Sequence, residues 1–286
     1  MVRVVVTYDR IRVEEKALQK AGENLGADVR LIDVKDSFID ITKGEVNPEV
    51  LKGDVIIQRC VGHFRSLYLT AIIDSVGIPV INSFYTTLIC GDKLLTTLTL
   101  RRAGVPTPKT LVAFTRDGAL KALEEVGYPA ILKPVVGSWG RLVSLIKDVE
   151  TAKVVLEHRE LLHPLYQIFY VQEFIKKPDR DIRCFVVGEE AIAAIYRYAA
   201  PGEWRSNTAL GGRAVKMEIS DEVREVSIKA AKAVGAHVVG VDCLESERGL
   251  LVHELNSVTE FRNAAPATGV DIAKKIMEYA INLAKR

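Results

Sequence analysis

Residues 2–7 make a continuous β-branched run, the pattern of a parallel strand buried on both faces. Residues 14–25 carry apolar positions at helical spacing and stop at Gly26. Two more short apolar runs, 55–59 and 79–82, are separated by a helical stretch at 66–76 and Gly77. This alternation predicts an open parallel sheet flanked by helices over residues 1–90. A second unit, 91–168, opens with a helix over 92–103 that ends at Gly104 and the Pro106/Pro108 pair. It continues through strand 130–134, a turn at 137–140, strand 142–146 and helix 149–157. Strand, glycine turn, strand is the pattern of a β-hairpin. The third unit, 169–286, is rich in long strands at 169–175, 182–187, 191–198, 237–245 and 249–256. Helices over 220–234 and 271–284 are expected to cover it. The fold class is α/β (α+β), with an N-terminal parallel-sheet subdomain, a central one and a C-terminal one.

Composition adjusts this picture little. The 286 residues are 48% hydrophobic and 27% charged, as in ordinary globular proteins. No apolar run approaches the roughly 20 residues of a membrane span. The opening Val-rich run lacks a basic leader and a small-residue cleavage site, so it predicts a first strand and a cytoplasmic protein. A net charge of +2 without a basic block argues against nucleic acid. Cys60, Cys90, Cys184 and Cys243 lie far apart with no CxxC pair, against a zinc ribbon or a disulfide scaffold. Cys184 and Cys243 sit in apolar strands and are expected to be buried and inert.

Four clusters carry candidate chemistry. The turn Gly137-Ser138-Trp139-Gly140-Arg141 follows Lys133-Pro134, and backbone amides with a nearby lysine can cradle phosphates. It matches neither a P-loop nor a dinucleotide fingerprint, so an ordinary hairpin tip is the competing reading. Glu254 and Asn256 are two apart on one strand and share a face, and a hairpin through 246–249 would bring Asp242 beside them. Two carboxylates and an amide suit Mg²⁺, whereas a solvated sheet face would explain the same residues without a metal. The segment Gln172-Glu173-Phe174-Ile175 followed by Arg180-Asp181-Ile182-Arg183 could offer backbone to a base and an acid to a ribose, or be an amphipathic strand with a charged turn. Arg197 and the polar, glycine-paired stretch 203–212 suggest a substrate loop or lid, with a plain surface loop as the alternative.

Together with Lys93, Asn207 and Glu254-Leu255-Asn256, these pieces resemble the ATP-grasp ligases along the whole chain. Within them the chain is similar to the branch shared with ribosomal-protein glutamate ligases, and most of all to the LysX-type α-aminoadipate ligases of carrier-dependent lysine biosynthesis. Tyr8 to Arg12, Cys90-Gly91-Asp92-Lys93, Glu157-His158-Arg159 and Glu260-Phe261-Arg262-Asn263 carry that likeness. The resemblance implies ATP between the central and C-terminal subdomains. It gives the phosphates to Lys93, Lys133 and the turn from Gly137 through Ser138, Trp139 and Gly140 to Arg141. Gln172 to Ile175, Asp181 and Asn207 would complete the nucleotide site. It implies Mg²⁺, two ions, on Asp242, Glu254 and Asn256, and catalytic roles for Arg197 and Lys133. The amino acid would be held by Arg197, Thr208, Ala209 and the run Glu260, Phe261, Arg262, Asn263, Ala264. The implied partner is LysW, a small acidic zinc-containing amino-group carrier whose terminal glutamate side chain is activated. Membrane and nucleic acid are not implied, and a homo-oligomer, dimer or tetramer, is.

In this family the residues after Glu-Phe-Lys/Arg mark specificity, and Asn263-Ala264 favours α-aminoadipate. The longer 201–205 loop is closer to the glutamate-using sisters, which leaves a glutamate-specific or bifunctional enzyme of arginine synthesis as the alternative. A ligase with another acceptor and a nucleotide-binding scaffold without catalysis are the further readings.

Overall fold

The computed structural model describes residues 1–42, 50–206 and 211–286. The first sheet is parallel, in the order β2-β1-β3-β4, from β1 (Arg3–Tyr8), β2 (Asp28–Asp33), β3 (Val55–Gln58) and β4 (Val80–Ile81). Its helices are α1 (Val13–Asn24), α2 (His63–Ser75) and α3 (Phe84–Gly91). Val4, Val5 and Val6 are fully buried, since helices cover both faces as the unbroken run predicts. The helix α3 and the strand β2 are elements the hydrophobic pattern did not single out.

Next come α4 (Lys93–Arg102), β5 (Thr110–Ala113), α5 (Arg116–Val126), β6 (Ala130–Lys133), β7 (Ser144–Ile146), α6 (Val149–Glu160) and β8 (Phe169–Glu173). Asp92 starts α4 by accepting hydrogen bonds from the N–H groups of Leu94 (2.8 Å) and Leu95 (3.0 Å). The second sheet has the order β5-β8-β6-β7. Here β8 pairs antiparallel with β5 and β6, so this strand belongs with the central sheet and not with the strands that follow it. Nearness in sequence had placed it in the third unit, but its ladder lies behind it in the chain.

The third sheet, β11-β10-β9-β12-β13, is antiparallel. Its strands are β9 (Arg180–Val187), β10 (Glu190–Tyr198), β11 (Arg213–Met217), β12 (Val238–Ser246) and β13 (Gly249–Asn256). α7 (Asp221–Ala233) covers one face. α8 (Ala264–Thr268) precedes the last helix, α9 (Ile272–Leu283). Expected over the third sheet alone, α9 instead packs chiefly on α1 and also touches β3 and β9. Ile272, Ile276, Met277 and Ala280 join Val4, Val6, Leu18 and Phe185 in one core. A Cβ on Gly22 would lie 2.4 Å from Met277 Cε and 2.5 Å from Val29 Cγ2, so the first and last helices meet closely over a glycine. The chain's end thereby ties its first sheet to its third.

Among the described residues no helix is long and apolar enough to cross a membrane. All four cysteines are free, and Cys184 and Cys243 are fully buried. Burial pushes the Cys184 thiol up to about 11, which keeps it protonated and unreactive.

Candidate active site

The cleft between the second and third sheets is built around Lys133, the last residue of β6. Its Nζ donates to Gln172 Oε1 at 2.7 Å, and Gln172 in turn donates to Tyr170 Oη (3.1 Å) and Thr110 Oγ1 (3.0 Å). This chain of bonds fixes a long cation that would otherwise have many rotamers. Burial lowers the Lys133 ammonium to about 8, with the Lys93 charge acting in the same direction and Glu254 opposing. Lys93, the first residue of α4, donates to the Gly137 carbonyl (2.8 Å) and sits 3.4 Å from Glu254. The glycine turn is thus tied to β13 through one lysine. Within the turn Trp139, Gly140 and Leu142 all have positive φ, at 57°, 68° and 57°. For the two non-glycine residues that conformation carries strain, a feature that clusters at ligand-binding loops.

Lys133 makes a pH-dependent prediction. The folded chain binds fewer protons than the unfolded one between about 8 and 10.5, so stability climbs across that window. A phosphate held by Lys133 would be bound less tightly over the same range, because the neutral amine offers no charge. Nucleotide Kd is expected to rise by up to about tenfold per pH unit above about 8. Titration calorimetry from pH 7 to 9.5 measures it, and a flat profile would remove Lys133 from the phosphate site.

Opposite the turn, one face of the third sheet carries a row of charged residues. Asp181 and Arg183 are two apart on β9, Arg197 of β10 pairs opposite Asp181, and Asp242 of β12 pairs opposite Arg183. Glu254 of β13 then pairs opposite Asp242. Arg183 grips Asp242 with two bonds of 2.7 Å, and Arg197 reaches Asp181 at 2.6 and 2.9 Å and Asp242 at 3.0 Å. Burial alone would raise the Asp242 carboxyl, but Arg183 and Arg197 outweigh it and hold the group well below the usual range. Between Asp242 and Cys243 the β12–β13 register shifts, leaving His253 as the extra residue of a bulge. The bulge turns the adjacent His253 and Glu254 toward the same cleft. Burial, with Lys133 nearby, lowers the His253 ring to about 3, so it is neutral.

Asp242, Glu254 and Asn256 do come together: Asn256 Nδ2 lies 3.3 Å from Asp242 Oδ2. As hard oxygen donors they are of the kind Mg²⁺ takes, and the Glu254 carboxylate is partly exposed to the cleft. Asp242 is not the open ligand the sequence suggested, because guanidinium groups occupy both of its oxygens. No group of three or more His, Cys, Asp or Glu that could hold a metal occurs among the described residues.

Three cavities meet here. One is lined by Lys133, the glycine turn, Gln172 to Ile175 and Asp181. Another, the roomiest of the three, opens between the end of the first sheet and Trp139, Asn256 and Glu260. The third is small and bounded by Arg183, Ile195, Glu260, Arg262, Asn263 and Ala264. Arg197 lines all three.

Residues 4–89 match the profile of the LysX preATP-grasp domain, and residues 90–280 match that of the RimK-like ATP-grasp domain. The chain belongs to the RimK-like ATP-grasp ligases. It is an ATP-dependent carboxylate–amine ligase. A curated relative from Sulfurisphaera tokodaii, "Glutamate--LysW ligase ArgX", is 40% identical over 97% of each chain. Another from Saccharolobus solfataricus, "Alpha-aminoadipate--LysW ligase LysX", is 38% identical over 96% of this chain and 99% of its own. The fold is that of a RimK-domain ATP-grasp protein from Sphaerobacter thermophilus, with a TM-score of 0.79 at 23% identity, covering 98% of this chain and 99% of that one.

In this ATP-grasp ligase Phe261 departs from its expected place. Its ring is buried in the core under the Arg59 guanidinium, 5.9 Å away, and so holds the segment 260–264 to the body of the protein without lining the cavity. Glu173 donates its N–H to the Lys109 carbonyl at 2.9 Å, which fixes the end of β8 at the rim of the cleft. Asn207, Thr208 and Ala209 lie outside the described residues. Sequence reasoning missed His253 as a site residue, and named Arg183 and Arg205 only within wider candidate stretches without a role of their own. Arg183 could have been found from its i, i+2 relation to Asp181 on one strand. Arg205 donates to the Gly140 carbonyl (2.9 Å), and Trp204 lies edge-on to Phe174 at 6.3 Å, contacts across the cleft that no local pattern announces.

Proposed function

We propose that this ligase joins the α-amino group of α-aminoadipate to the side-chain carboxylate of the terminal glutamate of a LysW-type carrier. The observation that carries the reading is the convergence of three cavities on Arg197, since the reaction needs a nucleotide, an acid and an amine at one point. The cavity beside the glycine turn suits ATP, with Lys93 and Lys133 against its phosphates. The large open one suits a peptide tail ending in a carboxylate. The small one offers Arg183 and Arg262 to the two carboxylates of an acidic amino acid, and Glu260 to its amine.

The acid oxygen takes the γ-phosphoryl group, giving an acyl phosphate and ADP. The amine then attacks the acyl carbon, phosphate leaves, and a C–N bond forms with loss of one amine proton. Arg197 supplies fixed positive charge where the tetrahedral oxyanion develops. Glu254 and Asn256, with Asp242 once a guanidinium releases it, would hold Mg²⁺, which when bound offsets phosphate charge.

Asn263-Ala264 supports α-aminoadipate, and relatives of both names support a LysW ligase. Glutamate is the second reading, favoured by the ArgX relative and the 201–205 loop. The two substrates differ by one methylene, worth about 1–3 kcal/mol. Purified enzyme with ATP, Mg²⁺, LysW and either amino acid, followed by mass spectrometry of LysW, tests the reading. The expected result is one aminoadipyl adduct; a gain with glutamate alone would move the enzyme to the second reading, and no gain with either would sink both.

A further inference from the structure

Glu14 lies in the first turn of α1, yet only 1% of it is exposed. A buried carboxylate is costly unless it is satisfied, and an apolar residue at this position would make an adequate helix. Its Oε1 accepts the backbone N–H groups of Phe261 (3.1 Å) and Arg262 (3.0 Å), 247 and 248 residues away. Its neighbours reinforce the grip. Arg59 donates to the Thr259 carbonyl (2.9 Å) and to Glu15 (3.1 Å), and Arg12 reaches Glu260 at 3.4 Å. The first 60 residues therefore hold the backbone at 259, 261 and 262 and the side chain of Glu260, where Arg262, Asn263 and Ala264 begin to line the small cavity.

We infer that Glu14 is a positioning residue for amine-substrate selectivity: through the Phe261 and Arg262 amides it fixes where Arg262 and Asn263 stand relative to Arg197. The inference rests on the proposed reading of the small cavity as the amine site. Distinguishing substrates one methylene apart requires a wall that does not shift, and one buried acceptor shared by two adjacent amides supplies that rigidity.

The test compares Glu14→Ala, Glu14→Gln and Glu14→Asp with the full-length parent, using LysW, ATP and each amino acid. Glu14→Gln keeps an oxygen acceptor in place and should leave the amino-acid KM within about threefold of the parent. Glu14→Ala should raise that KM about tenfold or more and compress the ratio of kcat/KM between α-aminoadipate and glutamate, with the ATP KM unchanged. Should the alanine variant not fold, Glu14→Asp, which keeps the charge but withdraws the acceptor by one methylene, carries the same expectation. A merely structural role would lower the melting temperature and the active fraction while leaving the substrate ratio intact, and that outcome overturns the inference. Parent enzyme inactive with both amino acids would overturn the functional reading, and this inference with it.

Discussion

Glu254→Gln is expected to lower ADP formation about 10²–10³-fold while leaving the melting temperature close to that of the parent. The reason lies in what Glu254 does in the fold. Its side chain is partly open to the cleft, and its ion pair is a single 3.4 Å contact with Lys93, so little stability depends on its charge. At the same time it lines both the nucleotide cavity and the open one. A charge placed there is in position to act on phosphoryl transfer, and glutamine keeps shape and hydrogen bonding while removing that charge. A coupled assay for ADP with saturating carrier and amino acid, run beside a thermal melt, separates the two effects. Parental turnover would rule out the metal-binding role; a large fall in melting temperature would make Glu254 a structural residue.

Arg197→Met is expected to lower stability by about 3–5 kcal/mol. Arg197 is 3% exposed and bridges two buried carboxylates, Asp181 and Asp242. Asp242 keeps the bidentate Arg183, but Asp181 loses both of its guanidinium hydrogen bonds and is left as a buried charge. For a chain of this size the loss corresponds to a melting temperature lower by about 10 °C. Adding Asp181→Asn removes the orphaned charge and should restore at least part of the loss, while catalysis stays absent in both variants. A parental melting curve for Arg197→Met would show that the clamp contributes no stability. The pH dependence follows from Asp242. Its carboxyl is held below 3.8 in the folded state, so the clamp's contribution is present above that value and fades as pH falls through the lower folded one.

The chain's pattern determined by itself what depends on near neighbours. The unbroken β-branched run of β1 announces a strand buried on both sides, because parallel strands covered by helices need no polar face. The i, i+2 spacing of Glu254 and Asn256, and the turn at 246–249 that lets Asp242 meet them, follow from the two-residue period of a strand. The glycine turn after Lys133 is likewise local chemistry. Tertiary structure decided everything that depends on which distant segments meet. It returned β8 to the central sheet and laid α9 on α1, since pairing and apolar faces seek partners irrespective of sequence distance. It gave Asp242 to Arg183 and Arg197, because a buried carboxylate takes the nearest cations across neighbouring strands. It also moved Phe261 into the core and set Glu14 under the backbone of 261–262, a contact no spacing along the chain could foretell.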